Sequence, residues 1–396
     1  MTLTGFVLLY IAATIAIGVI AATRVKNTSD FALAGRSLPL PMVITATFAT
    51  WFGSETILGL PGRFIESGIA GVIEEPFGSG MALILVGTFF AHKLYKQNIL
   101  TLGDYYRDRY GRSVELLCSV AIVISYLGWV GAQVTALGLV INLITEGAVS
   151  MTTGMVIGAA VVLAYTMVGG MWSVAMTDFV QMIVIVVGLV AILWFATDLA
   201  GGMDKVVDYA RGRDLFHAFP EPTTTGWLFW ISAAMTMMIG SIPQQDVFQR
   251  VMSAKNLPTA VAGPILGGSF YILFAFVPMF IVVAAILVMP DAAEKMLSED
   301  PQQLLPTLVR DYMPMWLRVV FFGAVLSAVM STASATMLAP STIFVENVLR
   351  HFMKIDDRNM LRAMRLSVAV FAVCVLSYSI ALEGAAIYLS LIHISE

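Results

Sequence analysis

Residues 45–62 read TATFATWFGSETILGLPG, placing Gly53, Ser54 and the carboxylate of Glu55 inside an apolar run closely followed by Pro61 and Gly62. A second interruption lies at Gly240, Ser241 and Pro243 of MMIGSIPQQDVFQR. A helix broken within hydrocarbon releases backbone groups, which is tolerated only where protein, water or a ligand meets them. A third stretch, FFGAVLSAVMSTASATMLAPSTIFVENV, carries Ser331, Thr332 and Ser334 just after Ala328. A desolvated Na+ needs several hard oxygen ligands; two adjacent hydroxyls and carbonyls from a broken helix could supply them. The plainer alternatives are a proline kink relieved by its neighbours, and small residues that let helices approach closely.

The elements that must position these groups are membrane helices. The chain is 59% hydrophobic and 12% charged, with a mean hydropathy of +0.86. A soluble domain cannot hide that much apolar surface, so the expected class is an all-α polytopic membrane protein. The net charge of −4 says little, and the lack of basic patches interleaved with aromatics argues for no nucleic-acid partner. Cys118 and Cys374 lie in apolar runs and are expected as buried, inert thiols. His92, His217, His351 and His393 have no ligand spacing, and no zinc-protease, nucleophile-elbow or P-loop pattern occurs, so neither an enzyme nor an ATP-driven pump is expected.

Ten apolar segments are long enough to cross about 30 Å of hydrocarbon: 3–22, 38–60, 70–92, 114–142, 151–169, 173–197, 227–248, 262–289, 316–347 and 363–386. The first has no basic n-region or cleavage site and reads as a retained helix. With this alternation, one set of loops carries 15 of the 22 basic residues, Arg250 among them, and the other set carries 7. The richer set is expected to be cytoplasmic and the N-terminus outside, in the cell (inner) membrane. Residues 198–226 and 290–315 are expected as outer loops or interfacial helices, and 101–112 as an amphipathic turn resting at the headgroups. The terminal SLIHISE resembles translated sequencing-adapter sequence, and the native chain is expected to end near Ile387 or Tyr388. The two breaks each open a block of five helices, which points to an inverted repeat with a central binding site.

Three ordered motifs carry a family resemblance. YTMVGGMWSVAMTDFVQ (165–181), FQRVMSAK (248–255) and AVMSTAS (328–334) are similar to signature stretches of the sodium:solute symporter family. The resemblance implies a LeuT-like fold, with inverted five-helix repeats preceded by one extra N-terminal helix. The organisation then expected is 1–37 as extra helix and loop, 38–197 as first repeat, 198–226 as outer loop, 227–387 as an incomplete second repeat, and 388–396 as a non-native tail. It also implies a sodium site of carbonyls at Ala49, Phe52 and Ala328 with the hydroxyls of Ser331 and Thr332, and a role for Asp178 in sodium exit.

Residues 47–51 and IPQQDVFQRV are further similar to a branch like that of high-affinity choline transporters or proline permeases. Trp51 and Trp129 could face an organic cation, and Gln244 and Gln245 could bond a carboxylate, amide or hydroxyl. Gln244 stands where the choline branch has Trp. Ser54 and Glu55, beside the break, complete the candidate substrate set. Glu74 and Glu75 are expected near the outer surface in water. The function expected is sodium-coupled import of a small polar organic solute (amino acid, carboxylate or quaternary amine) by alternating access. Its partners would be the solute, sodium and the lipid bilayer. A sensor domain of a histidine kinase and a proton-coupled symporter are the alternatives.

Overall fold

Long apolar runs in lipid satisfy their backbone within helices. The computed structural model describes residues 3–353 and 356–382, which are predominantly helical. Among them there is no strand, only an isolated bridge between Leu38 and Ala254. Leu3–Ala22, Ile69–Gln97, Arg112–Ile144, Leu257–Val288, Met315–Phe352 and Asn359–Ala381 are each long and apolar enough to cross a membrane. The expected tail lies outside the described residues.

Met151–Leu199 forms 49 residues of helix with one non-helical residue, Gly170 (φ 50, ψ −138). The chain reverses there. Tyr165 donates to Met330 O at 3.1 Å, while Asp178 accepts from Ser331 at 2.5 Å. In a straight helix those two residues would stand roughly 20 Å apart, too far to meet adjacent residues of one neighbour. The expected spans 151–169 and 173–197 are the two arms of this hairpin.

The two expected interruptions are present. The second span runs Leu40–Trp51, breaks, and resumes through Glu55–Gly59 into Leu60–Ser67. The seventh runs Thr224–Gly240, then Gln245–Ser253 at a bend of 45°. Short helices, Met203–Gly212, Pro290–Glu299 and Leu304–Tyr312, occupy the two long connections.

Loops assigned to one side meet at one end. Leu38 N donates to Ser253 O, and Lys255 N to Leu38 O, both at 2.9 Å. Tyr95 Oη donates to Ala254 O at 2.9 Å and Arg36 to Tyr95 O at 2.8 Å. At the opposite end Ile69 N and Ala70 N donate to Leu215 O and His217 O, each at 2.9 Å. An alternating topology requires this two-ended sorting.

The ninth span is the axis of the bundle. Its most apolar window is 83% buried, against 22% for the first span. Small residues make that centrality possible, because large side chains would hold neighbours away. Leu8, Leu117, Trp194, Phe229, Leu273 and Val370 point outward, an apolar belt suited to lipid.

Three expectations are corrected. The 101–112 segment is a helix, Leu102–Tyr110, rather than a turn, with a Thr101–Asp104 capping box, and its inner face is anchored to protein. Asn347 Nδ2 donates to Asp104 at 3.1 Å and to Glu115 at 2.9 Å, and Arg107 donates to Asp104 at 2.8 Å. Arg250 is 1% exposed: it is a core residue and drops out of the loop-charge count. Cys118 is half-buried and Cys374 exposed, because each sits on an outward face of its helix.

At Gly170 a Cβ would stand 2.3 Å from Phe31 O, on a backbone conformation that L side chains rarely adopt. Gly170→Ala should destabilise the protein by about 3 kcal/mol or more, read as a lowered unfolding midpoint in detergent. Gly128→Ala, where a Cβ meets nothing within 4 Å, should stay within about 0.5 kcal/mol of wild type.

Candidate functional site

The helix Leu40–Trp51 ends at Phe52, whose ψ of 71° leaves the helical region. Gly53 N donates to Trp51 O at 3.1 Å instead of reaching back to Ala49. The Ala49 carbonyl is thereby freed, and Thr332 Oγ1 donates to it at 3.2 Å. Gly53 is required by this close approach: a Cβ there would lie 2.8 Å from Thr332 Oγ1 and 2.9 Å from Glu55 Oε2.

Gln133 spans the other side of the break. Its Oε1 accepts from Ser54 N at 3.1 Å, and its Nε2 donates to Glu55 Oε1 and Oε2 at 2.6 and 2.8 Å. One amide thus satisfies an orphaned backbone N–H and holds a buried carboxylate. Sequence reasoning missed Gln133, since a lone Gln in an apolar helix carries no spacing signal.

The five residues expected around sodium, Ala49, Phe52, Ala328, Ser331 and Thr332, are all fully buried. Ala49 and Thr332 are in direct contact. Phe52 ends its helix at the break, and Ala328 lies one turn before Thr332. Ser331 donates to Asp178 Oδ1 at 2.5 Å, and Asp178 Oδ2, also buried, has no hydrogen-bond partner among the described residues. The chemistry of this set is hard, mostly neutral oxygen, which suits an alkali cation better than a transition metal.

Beside the break a cavity of about 430 Å3 opens, walled by Trp51, Tyr126 and Trp129. The Trp51 and Trp129 ring centroids are 5.4 Å apart, and Trp129 stacks on Tyr126 at 5.9 Å. Glu55 and Gln244 also line it, so four of the six residues expected around substrate converge. Ser54 is fully buried and meets Gln133 through its backbone, outside the lining. Gln245 is turned away: its Oε1 accepts from Leu102 N at 2.9 Å, tying the 102–110 helix to the bundle. Adjacent residues at a helix start point in different directions, which the sequence pair QQ does not reveal.

Glu75 is the further correction. It lines the cavity rather than sitting in outer water. Tyr271 donates to its Oε1, and Thr56 Oγ1 lies 3.1 Å from the same atom. Glu74 goes the other way, to Arg63 at 3.5 Å.

The seventh span joins the site from below its bend. Tyr126 Oη donates to Asp246 and accepts from Asp246 N at 3.1 Å. Arg250 donates to Asp246 O at 2.9 Å and to Thr50 Oγ1 at 2.7 Å. A buried guanidinium therefore links the two broken helices to each other.

Two interrupted helices meeting beside an aromatic cavity, around a small-residue central helix, define a LeuT-like transporter architecture. The chain belongs to the sodium:solute symporter family, whose model matches residues 31–394, and it is a multi-pass membrane protein. It is similar to high affinity choline transporter 1 of Homo sapiens, 29% identical over 378 residues, covering 90% of this chain and 63% of that protein. The Caenorhabditis elegans high-affinity choline transporter 1 is 27% identical, with 91% and 63% covered. The chain thus spans 63% of the length of these relatives. Sodium/glucose cotransporter 4 of Danio rerio is 25% identical over 382 residues, with 86% and 57% covered. In fold, the chain is similar to a substrate-bound, outward-open Na+-coupled sialic acid symporter (TM-score 0.86, 19% identity, 100% of this chain and 84% of that one). MhsT in complex with L-phenylalanine is also similar (TM-score 0.62, 11% identity, 86% and 79% covered). The relatives are transporters by name, not enzymes.

Gln133→Leu would leave Ser54 N and the Glu55 carboxylate without that amide. The expected cost is about 2–4 kcal/mol, measured as a drop in unfolding midpoint in detergent; an unchanged midpoint would mean that Gln133 is not what holds the break.

Proposed function

We propose that this chain forms the core of a sodium-coupled symporter that imports a small polar organic solute by alternating access. The observation that carries this reading is the hydroxyl of Thr332 seated on the freed Ala49 carbonyl, immediately beside an aromatic cavity. Sodium is cargo here. The carbonyls of Ala49, Phe52 and Ala328 and the hydroxyls of Ser331 and Thr332 would take the place of its water shell. An ion held by both the second and ninth spans favours the arrangement in which they are together. Because Trp51 and Glu55 flank the same break, sodium binding also orders one wall of the cavity. The coupling is reciprocal, so substrate tightens sodium as sodium tightens substrate. Each inward charge adds about 2.3 kcal/mol per 100 mV of membrane potential.

Asp178 is assigned to sodium exit. Its bond from Ser331 ties it to the ion site, and its second oxygen is free to receive the ion next. Trp51, Glu55, Trp129 and Gln244 are assigned to substrate, joined by Glu75 and Tyr126. Among amino acids, carboxylates and quaternary amines, aromatic walls with two carboxylates favour a cation. The name of the choline transporter relatives points the same way. We place the chain in the cell (inner) membrane with the N-terminus outside, since without Arg250 the loop bias remains 14 to 7. The division into repeats at 38–197 and 227–387 follows the two breaks.

Ser331→Ala with Thr332→Ala removes both hydroxyls and leaves the apolar surface for insertion intact. Sodium-stimulated solute uptake into proteoliposomes should fall at least tenfold, about 1.4 kcal/mol or more, with unchanged yield in the membrane. Uptake that keeps wild-type sodium dependence would refute the assignment of these hydroxyls.

A further inference from the structure

The cavity beside Trp51 has an uneven polar lining. Two carboxylates, Glu55 and Glu75, reach it from different segments of the chain, and among the described residues neither Lys nor Arg lines it. Of its three hydroxyls, on Ser125, Tyr126 and Tyr378, the first two already donate elsewhere, to Ile122 O at 2.8 Å and to Asp246. Glu75 is held from one side only. Tyr271 and Thr56 both address Oε1, which leaves Oε2 for the cavity. Gln244, also on the lining, keeps its Oε1 buried, without a partner among the described residues. The cavity therefore presents a carboxylate with one oxygen, Glu75 Oε2, outside those two bonds, between aromatic faces.

Resting on the transport reading above, we infer that the substrate is a small organic cation that carries N–H donors, an amine rather than a quaternary ammonium, and that Glu75 reads those hydrogens. The aromatic faces attract any cation, methylated or not, so they do not separate the two classes. The acceptors do. An ammonium N–H gives Glu75 Oε2 a donor that neither Tyr271 nor Thr56 supplies to it. A fully methylated nitrogen is bulkier and carries no N–H, so it leaves that desolvated oxygen bare, and a buried polar group without its partner is penalised more heavily than a lost contact. Methyl groups also hold the positive charge farther from the carboxylates, which weakens the attraction between them.

The test is a methylation series on one skeleton: ethanolamine, N-methylethanolamine, N,N-dimethylethanolamine and choline, all cations at neutral pH. Binding to the purified full chain in detergent is measured by titration calorimetry, in sodium chloride and in potassium chloride. Affinity should fall along the series, with a loss of about tenfold or more at the last step, where the final N–H disappears. Glu75→Gln, which keeps an oxygen for Tyr271 and Thr56, should flatten the series. Choline binding as tightly as the amines, or no member binding at all, would overturn the inference. A slope that survives Glu75→Gln would remove Glu75 as the reader. Loss of sodium dependence with the slope intact would strike the coupling and leave the substrate class standing.

Discussion

A peptide carbonyl released in a membrane interior costs several kcal/mol unless something recaptures it. The architecture around the break of the second span answers that one constraint. Gly53 turns its N–H to Trp51, Ala49 loses its helical partner, and Thr332 arrives from the ninth span to replace it. Such an arrangement demands a central helix slim enough to come that close, and Ala328, Ser331 and Thr332 provide it. It equally demands that no side chain stand at position 53, where a Cβ would meet three oxygens at about 3 Å or less. The cavity, the candidate ion site and the close packing of the ninth span are therefore consequences of one unpaired group.

The charged residues of the interior obey the same accounting. Glu55 is accepted because Gln133 gives both its oxygens a donor, and Glu75 because Tyr271 and Thr56 hold one of its two. Among the described residues Arg250 has no carboxylate in ion-pair contact, and it is held by a carbonyl and a hydroxyl, one on each broken helix. A rearrangement of either helix disturbs the bonds of the other, which is the physical content of coupling between two elements. At one end of the bundle Asp104, Arg107, Glu115 and Asn347 form a second polar knot between the 102–110 helix and the ninth span. Separating the 102–110 helix from the ninth span at that end would break these bonds.

Much of the frame was legible from residue order alone. Helical spans, their alternation and the two interruptions follow from local composition, since a helix is the answer to apolar sequence in lipid whatever its neighbours are. The pairing of Ala49 with Thr332 was legible through family motifs, because a break and a hydroxyl cluster are both unusual in such segments. Less legible was direction. Gln244 and Gln245 look alike in sequence, yet one lines the cavity and the other serves the 102–110 helix. Glu74 and Glu75 part in the same way. Helices that are apolar on every face have no polar stripe from which to read orientation.

By itself the sequence determined that this chain is a helical membrane bundle, where it breaks, and that hydroxyls and carboxylates lie within reach of the breaks. The tertiary structure alone decided who meets whom: Gln133 with Ser54 and Glu55, Arg250 with Thr50, Glu75 with Tyr271. The reason is separation along the chain. Helix formation depends on residues a few positions apart, whereas these partners lie 78 to 200 positions apart. Only the packing of whole helices against one another brings them together.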